Sequence, residues 1–234
     1  MKVYFLPFAG GAGYCYDAFK QIAPKGLEFI TLELPGRGQR MQAPLLTDIH
    51  LLAEDVWHQI SHRLTQPYAI YGHSMGGILT YLLANSIIKA GLPPPLHLFF
   101  SGCNPPPKVT FKKKKHLLPD AELVEALRDM GGSPDEVLNN PDLMHFFLPV
   151  LRADFQAVET YTYRADKPFD IPISVFLGTE EGRVWDHINE WNTITTQPVE
   201  IVKMLGGHFF IYDHAKLIVE KIAQRVCVTT RQLI

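Results

Sequence analysis

Gly72-His-Ser-Met-Gly76 is the stretch best suited to chemistry. It fits G-x-S-x-G, with Ser74 between glycines and a further glycine at 77. Before it, Tyr68-Ala-Ile-Tyr71 is a short apolar run with the character of a buried strand. After it, Ile78, Leu79, Leu82, Leu83 and Ile87 recur at helical spacing. A sharp strand-to-helix reversal lifts one side chain clear of a sheet edge. It also aims the first amides of the helix at whatever that side chain attacks. The glycines let the two backbones approach without a Cβ clash. The implied chemistry is nucleophilic attack by Ser74. A serine hydroxyl is weak without a base, so a histidine and an orienting acid must arrive from elsewhere. Neighbours on a turn diverge, so His73 is not expected to be that base.

His208 is the expected base. It follows Gly206-Gly207 directly after the last strand-like run, Val199-Glu-Ile-Val-Lys-Met204. Loops after parallel strands gather at one edge of the sheet, the edge that carries Ser74. His187 and His214 fall inside helical stretches and compete poorly. The acid should come from the loop after Ile173-Ser-Val-Phe-Leu177, where Glu181 stands three residues past Gly178, with Glu180 and Asp186 as alternatives. The order nucleophile, acid, base is that of α/β-hydrolases. Two amides should face a developing oxyanion: that of Met75, and that of Ala9 or Phe8 in the loop Pro7-Phe-Ala-Gly-Gly-Ala-Gly13.

Strands and helices alternate around these residues. Strands are expected at Lys2–Leu6, Leu27–Leu34, Tyr68–Tyr71, Leu96–Ser101, Ile173–Leu177 and Val199–Met204, and helices near 15–22, 48–64, 77–87, 184–191 and 211–228. The fold class is therefore α/β, a mostly parallel sheet covered by helices on both faces. Alternation stops after Gly102-Cys-Asn-Pro-Pro-Pro107 and resumes near 169. Residues 1–103 and 169–234 are assigned to the core, and 104–168 to a helical insertion forming a lid. Within it, helices are expected from Pro119, Pro134 and Pro141, with a fourth over 151–163. Met144, Phe146, Phe147 and Leu148 are candidates for an acyl pocket or for ordinary packing. Lys112–Lys115 reads as a solvated charge run, or as a docking patch for an acidic or phosphate-bearing partner.

Hydrophobic residues make up 47% of the chain and charged residues 20%, as in an ordinary globule. A net charge of −2 argues against nucleic acid as the main partner. Three cysteines without C-x-x-C spacing, and ten histidines without an H-E-x-x-H pair, suggest no metal site and suit a reducing compartment. No run has the length of a membrane span, and the first residues do not read as a signal peptide. A cytoplasmic protein is expected.

Five motifs occur in order: Pro7-Phe-Ala-Gly-Gly11, Glu33-Leu-Pro-Gly-Arg-Gly38, Gly72-His-Ser-Met-Gly-Gly77, Leu151-Arg-Ala-Asp154 and Gly206-Gly-His-Phe-Phe210. Together they resemble the type II (external, editing) thioesterases of nonribosomal peptide and polyketide synthase systems, over nearly the whole chain. The resemblance implies an α/β-hydrolase fold, a catalytic triad of Ser74, Glu181 and His208, and oxyanion donors at Ala9 and Met75. It implies no metal or redox cofactor. The substrate would be an acyl thioester on the phosphopantetheine arm of an acyl or peptidyl carrier protein, and the role would be removal of stalled or aberrant acyl units by a monomeric enzyme. The chain departs from the family at the acid, usually aspartate, where it has Glu180-Glu181. The rival readings are a medium-chain fatty-acyl thioesterase, a small-molecule esterase, and a non-catalytic module that only binds carriers.

Overall fold

The computed structural model describes residues 1–232. Its strands are β1 (Lys2–Leu6), β2 (Glu28–Thr31), β3 (Tyr68–His73), β4 (Leu98–Ser101), β5 (Ile173–Gly178) and β6 (Val199–Met204). They pair in the order β2-β1-β3-β4-β5-β6, and every pairing is parallel. The chain steps outward from β1 to β2, then returns to place β3 on the other side of β1. Such a reversal leaves a crevice at the carboxyl ends of β1 and β3, where α/β proteins bind ligands.

Helices α1 (Asp17–Gln21), α2 (Ile49–Ile60), α3 (Met75–Lys89), α4 (Asp120–Met130), α5 (Asp135–Leu138), α6 (Pro141–Glu159), α7 (Phe210–Asp213) and α8 (Ala215–Gln232) complete the chain. Alternation of side chains along the strands divides the core in two. Tyr4, Leu6, Ile70, Phe100 and Val175 face α2 and α3. Val3, Phe5, Tyr71, Phe99 and Phe176 face α1 and α8, where Ile218, Ile222 and Val226 form the apolar stripe. The expected α/β-hydrolase architecture, a parallel sheet between helical layers, is the observed one. Asp48 caps α2, its carboxylate taking the His50 amide at 2.7 Å.

β4 and β5 are neighbours in the sheet, yet α4, α5 and α6 lie between them in sequence. Leu123, Leu127, Leu138, Met144 and Phe155 give these helices a small apolar cluster of their own.

Several boundaries differ from the expectation. α6 is one helix of 19 residues where two are expected, because it runs straight through Pro149. Proline inside a helix costs about 3 kcal/mol. Met144, Val150 and Phe155 are buried on the same helix, and burying each contributes roughly 1.5–3 kcal/mol, so burial wins. Pro149 itself lies on the exposed side, where water can reach the carbonyl it deprives of a partner. The helix expected near 184–191 is instead a run of 3₁₀ turns, Gly182–Thr193, that buries Trp191 against Phe100 at 4.7 Å between ring centroids. The closing helix is interrupted at His214, whose imidazole Nε2 lies 2.9 Å from the Leu205 carbonyl.

Candidate active site

The turn at Ser74 is as sharp as its sequence demands. Ser74 has φ of 56°, the sole positive value at a non-glycine among the described residues. This conformation is strained for any L-residue and is held by its surroundings. The Ser74 amide donates to the Ser101 carbonyl at 2.8 Å, tying the turn to the end of β4. A Cβ on Gly72 would overlap the Gly76 carbonyl, and one on Gly76 would overlap the Leu6 carbonyl. Only glycine lets α3 start this close to β1 and β3.

His208 arrives from the loop after β6. Its Nε2 lies 3.0 Å from Ser74 Oγ, and its Nδ1 lies 2.7 Å from Glu181 Oε1. A carboxylate can only accept, so Nδ1 carries the proton and Nε2 is left to accept from the serine hydroxyl. Glu181 Oε2 accepts the Gly178 amide at 2.7 Å, which fixes the carboxylate on its own loop. The two loops are laced together: the Glu180 amide donates to the Gly206 carbonyl at 3.0 Å, and Gly206 tolerates φ of 105°. Glu181 is 5% exposed and His208 22%, so the relay leads from solvent-reachable imidazole to buried carboxylate. Of the three carboxylates open on sequence, Glu181 is the one on His208. Glu180 and Asp186 are exposed.

His73 is fully buried beneath this relay. Its Nδ1 lies 3.0 Å from Ser101 Oγ, and its ring packs 4.9 Å from that of His208. Burial, aided by the nearby His208, holds its imidazole well below the usual histidine range, so it stays neutral.

Ser74, Met75, Ala9 and His208 all line one cavity of about 990 Å³. Leu127, Leu138, Met144, Phe147, Leu151 and Phe155 give it an apolar wall from α4, α5 and α6. Phe146, expected beside Met144 and Phe147, is 70% exposed instead, because positions 144, 147, 151 and 155 share one helical face and 146 does not. Leu148 packs into the cluster of α4, α5 and α6 rather than lining the cavity. Lys112, Lys113 and Lys114 are exposed, as a solvated run would be, whereas Lys115 reaches the cavity with its ammonium 5.3 Å from the Phe155 ring centroid. Cys15 and Cys103 also line the cavity, but burial raises both thiols. Neither is a thiolate that could rival Ser74.

The Phe8 carbonyl accepts the Gly11 amide at 2.8 Å, closing a turn over residues 8–11. Among the described residues no acceptor takes the amide of Ala9 or of Met75. Two further residues had no role assigned from sequence. Arg37 and Asp154 form a buried bidentate ion pair at 2.5 and 2.8 Å, and Asp154 also accepts the Gly10 amide at 2.7 Å. The signal was present: charged residues inside two of the quoted motifs, Pro-Gly-Arg-Gly and Leu-Arg-Ala-Asp. No group of three or more His, Cys, Asp or Glu among the described residues could hold a metal ion. No helix among them is long and apolar enough to cross a membrane.

The family model of the thioesterase domain matches residues 1–226. The chain belongs to the thioesterase family. The thioesterase is 33% identical over 214 residues to the gramicidin S biosynthesis protein GrsT of Aneurinibacillus migulanus, covering 91% of this chain and 84% of the relative. The solved structure of ClbQ, from the colibactin NRPS/PKS pathway, matches with a TM-score of 0.92 and 30% identity, covering 98% of each chain. BorB, the type II thioesterase of the borrelidin biosynthetic cluster, matches at 0.88 and 31%, covering 96% of this chain and 92% of that one. The thioesterase is thus a thioester hydrolase, akin to the type II enzymes of nonribosomal peptide and polyketide pathways.

Proposed function

We propose that this thioesterase hydrolyses acyl groups held on the phosphopantetheine arm of a carrier protein, with Ser74, His208 and Glu181 as its catalytic triad. The observation that carries the reading is the unbroken hydrogen-bonded line from Ser74 through His208 to Glu181, opening into a cavity with an apolar wall. Ser74 Oγ attacks the thioester carbonyl while its proton passes to His208 Nε2. The carbonyl oxygen, now negative, is held by the amides of Ala9 and Met75. The carbon–sulfur bond breaks, and His208 returns the proton to the departing thiolate of the arm. Water then adds to the Ser74 ester with His208 again as base, and the free acid leaves. Glu181 stabilises the imidazolium in both halves and keeps the proton on Nδ1.

Residues 104–168 serve as a lid that covers the acyl chain, and α6 supplies much of its apolar lining. Acyl or peptidyl carriers are the expected partners, since relatives of this chain are named for peptide and polyketide pathways. The enzyme works as a monomer in the cytoplasm. All residues of the site come from one chain, and its three cysteines are free. Glutamate in place of aspartate does not favour a non-catalytic module, because Glu181 still reaches the imidazole.

The test compares turnover of one acyl group on three carriers of the thioester or ester: a carrier protein, coenzyme A and nitrophenol. The reading expects kcat/KM to be highest, by tenfold or more, for the acyl-carrier. Equal or better turnover of the coenzyme A thioester would point to a fatty-acyl thioesterase, and of the nitrophenyl ester to a small-molecule esterase.

A further inference from the structure

We propose that Arg37 and Asp154 are positioning residues, which hold the turn over residues 8–11 so that the Ala9 amide stays aimed at the reacting oxygen. The proposal rests on the oxyanion role given to Ala9 above. Three segments meet at this pair. Arg37 follows β2, Asp154 sits on α6, Gly10 and Gly11 belong to the loop after β1, and Pro35 belongs to the chain leading to Arg37. Arg37 is 5% exposed and Asp154 is fully buried. The Arg37 guanidinium donates to both carboxylate oxygens, to the Gly11 carbonyl at 3.4 Å and to the Pro35 carbonyl at 3.3 Å. Asp154 Oδ2 takes the Gly10 amide at 2.7 Å.

Stability alone does not account for such a pair. Removing two charges from water costs about as much as their attraction returns, and apolar replacements of similar volume are often as stable or more so. What the pair supplies is a fixed geometry. Gly10 is the third residue of the turn, with φ of 78°, the value a type II turn requires there. Type I and type II turns differ by a flip of the middle peptide, here the one made of the Ala9 carbonyl and the Gly10 amide. Glycine permits either form. The bond from the Gly10 amide to Asp154 selects one of them, and the bond from Arg37 to the Gly11 carbonyl secures the far side. The Phe8 carbonyl and the Ala9 amide share one peptide plane, so the Gly11 bond to that carbonyl sets the Ala9 amide pointing the opposite way, on a residue that lines the cavity. Leu151, one turn before Asp154 on α6, presses on Gly10: a Cβ there would come within 2.6 Å of its Cδ2. The helix that lines the acyl wall therefore also holds the oxyanion loop. Release of the pair frees the Ala9–Gly10 peptide to flip and loosens Gly11, whose bond to the Phe8 carbonyl holds the peptide plane that carries the Ala9 amide; a less fixed Ala9 amide lowers the rate of the chemical steps more than it weakens substrate binding.

The experiment compares wild type, Arg37→Met/Asp154→Leu and Asp154→Asn. Active sites are counted by end-point fluorophosphonate labelling, so that only folded enzyme is scored. Four quantities are measured: thermal midpoint, kcat and KM on one acyl thioester, and Ki for a trifluoromethyl ketone thioether that Ser74 converts to a hemiketal oxyanion. In the apolar double variant the thermal midpoint should stay within a few degrees of wild type and KM within about threefold. Its kcat should fall roughly 10- to 100-fold, and Ki should rise by the same factor. Asp154→Asn, which keeps an acceptor near Gly10, should fall between. The proposal is overturned if kcat and Ki per labelled site match wild type, or if kcat falls while Ki does not move. Should the double variant fail to fold, Asp154→Asn assayed below its own midpoint decides by the same criteria. Ser74→Ala is the separate control: if it keeps hydrolysis, the catalytic reading itself falls, whatever the pair does.

Discussion

Two clusters in this molecule contain the same three residue types. At the carboxyl edge of the sheet, Ser74, His208 and Glu181 are joined with the histidine in the middle. Near the amino ends of β4, β5 and β6, under α8, His97, Ser174 and Glu200 are joined with the serine in the middle. There His97 Nε2 lies 2.9 Å from Ser174 Oγ, and Ser174 donates to Glu200 at 3.0 Å. Ser174 lies inside a strand and is fully buried. Its proton is committed to a carboxylate, so no base can take it. Arg225 and Lys221 on α8 hold Glu200 in turn. Reactivity depends on which group stands between the other two, and on whether the backbone thrusts the serine out of the sheet. The second cluster binds a helix to a sheet, and the first can move a proton.

Substitutions sharpen this contrast. Ser74→Ala should lower kcat by about three or more powers of ten with the fold intact, whereas Ser174→Ala should leave kcat within about twofold. Active-site-titrated hydrolysis of an acyl thioester checks both. Glu181→Gln should cost about 10²–10⁴-fold in kcat, because a neutral amide no longer stabilises the imidazolium or fixes its proton on Nδ1. Glu200→Gln should leave the rate unchanged and lower the unfolding midpoint in urea.

A third contrast is in pH. Burial and the Arg225 charge lower His97 to about 4, below the ordinary value of 6.5. Between those values the unfolded chain binds the proton that folded His97 refuses, so stability falls as pH drops from 6.5 toward 4. Glu200 adds a loss at lower pH. The Arg225 hydrogen bond holds it at about 2, so its stabilisation is complete above 4.5 and is lost as pH falls through 2. His97→Asn should flatten the upper part of this profile, read as urea midpoints across pH 4 to 7. The smallest effect is expected for the stability of Ser174→Ala, a loss of about 1–3 kcal/mol from leaving His97 and Glu200 without their shared partner. Equal loss of catalysis from both serine substitutions would erase the distinction drawn here.

Much of this was legible in the sequence, and the limits have physical causes. The parallel sheet shows in apolar runs alternating with helical spacing, and Ser74 and His208 show because glycines mark the turns that present them. The acid stayed open among Glu180, Glu181 and Asp186, since which carboxylate turns inward depends on loop geometry that no spacing records. The sequence pattern divides α6 in two because the cost of Pro149 is local, whereas the burial that outweighs it is tertiary. Phe146 and Phe147 are equivalent in type and adjacent in sequence, and only the phase of the helix separates them. The pairing of Arg37 with Asp154 is hidden by 117 positions of separation, although both lie in motifs that carry the family resemblance.

The central claim is that acyl groups pass through Ser74. Rapid quench of enzyme with acyl-carrier, followed by mass mapping of peptides, tests it most directly. A transient acyl adduct is expected on the peptide containing Ser74, missing from Ser74→Ala, together with loss of hydrolysis in that variant. Hydrolysis by Ser74→Ala within tenfold of wild type, or an adduct formed on another residue, would contradict it.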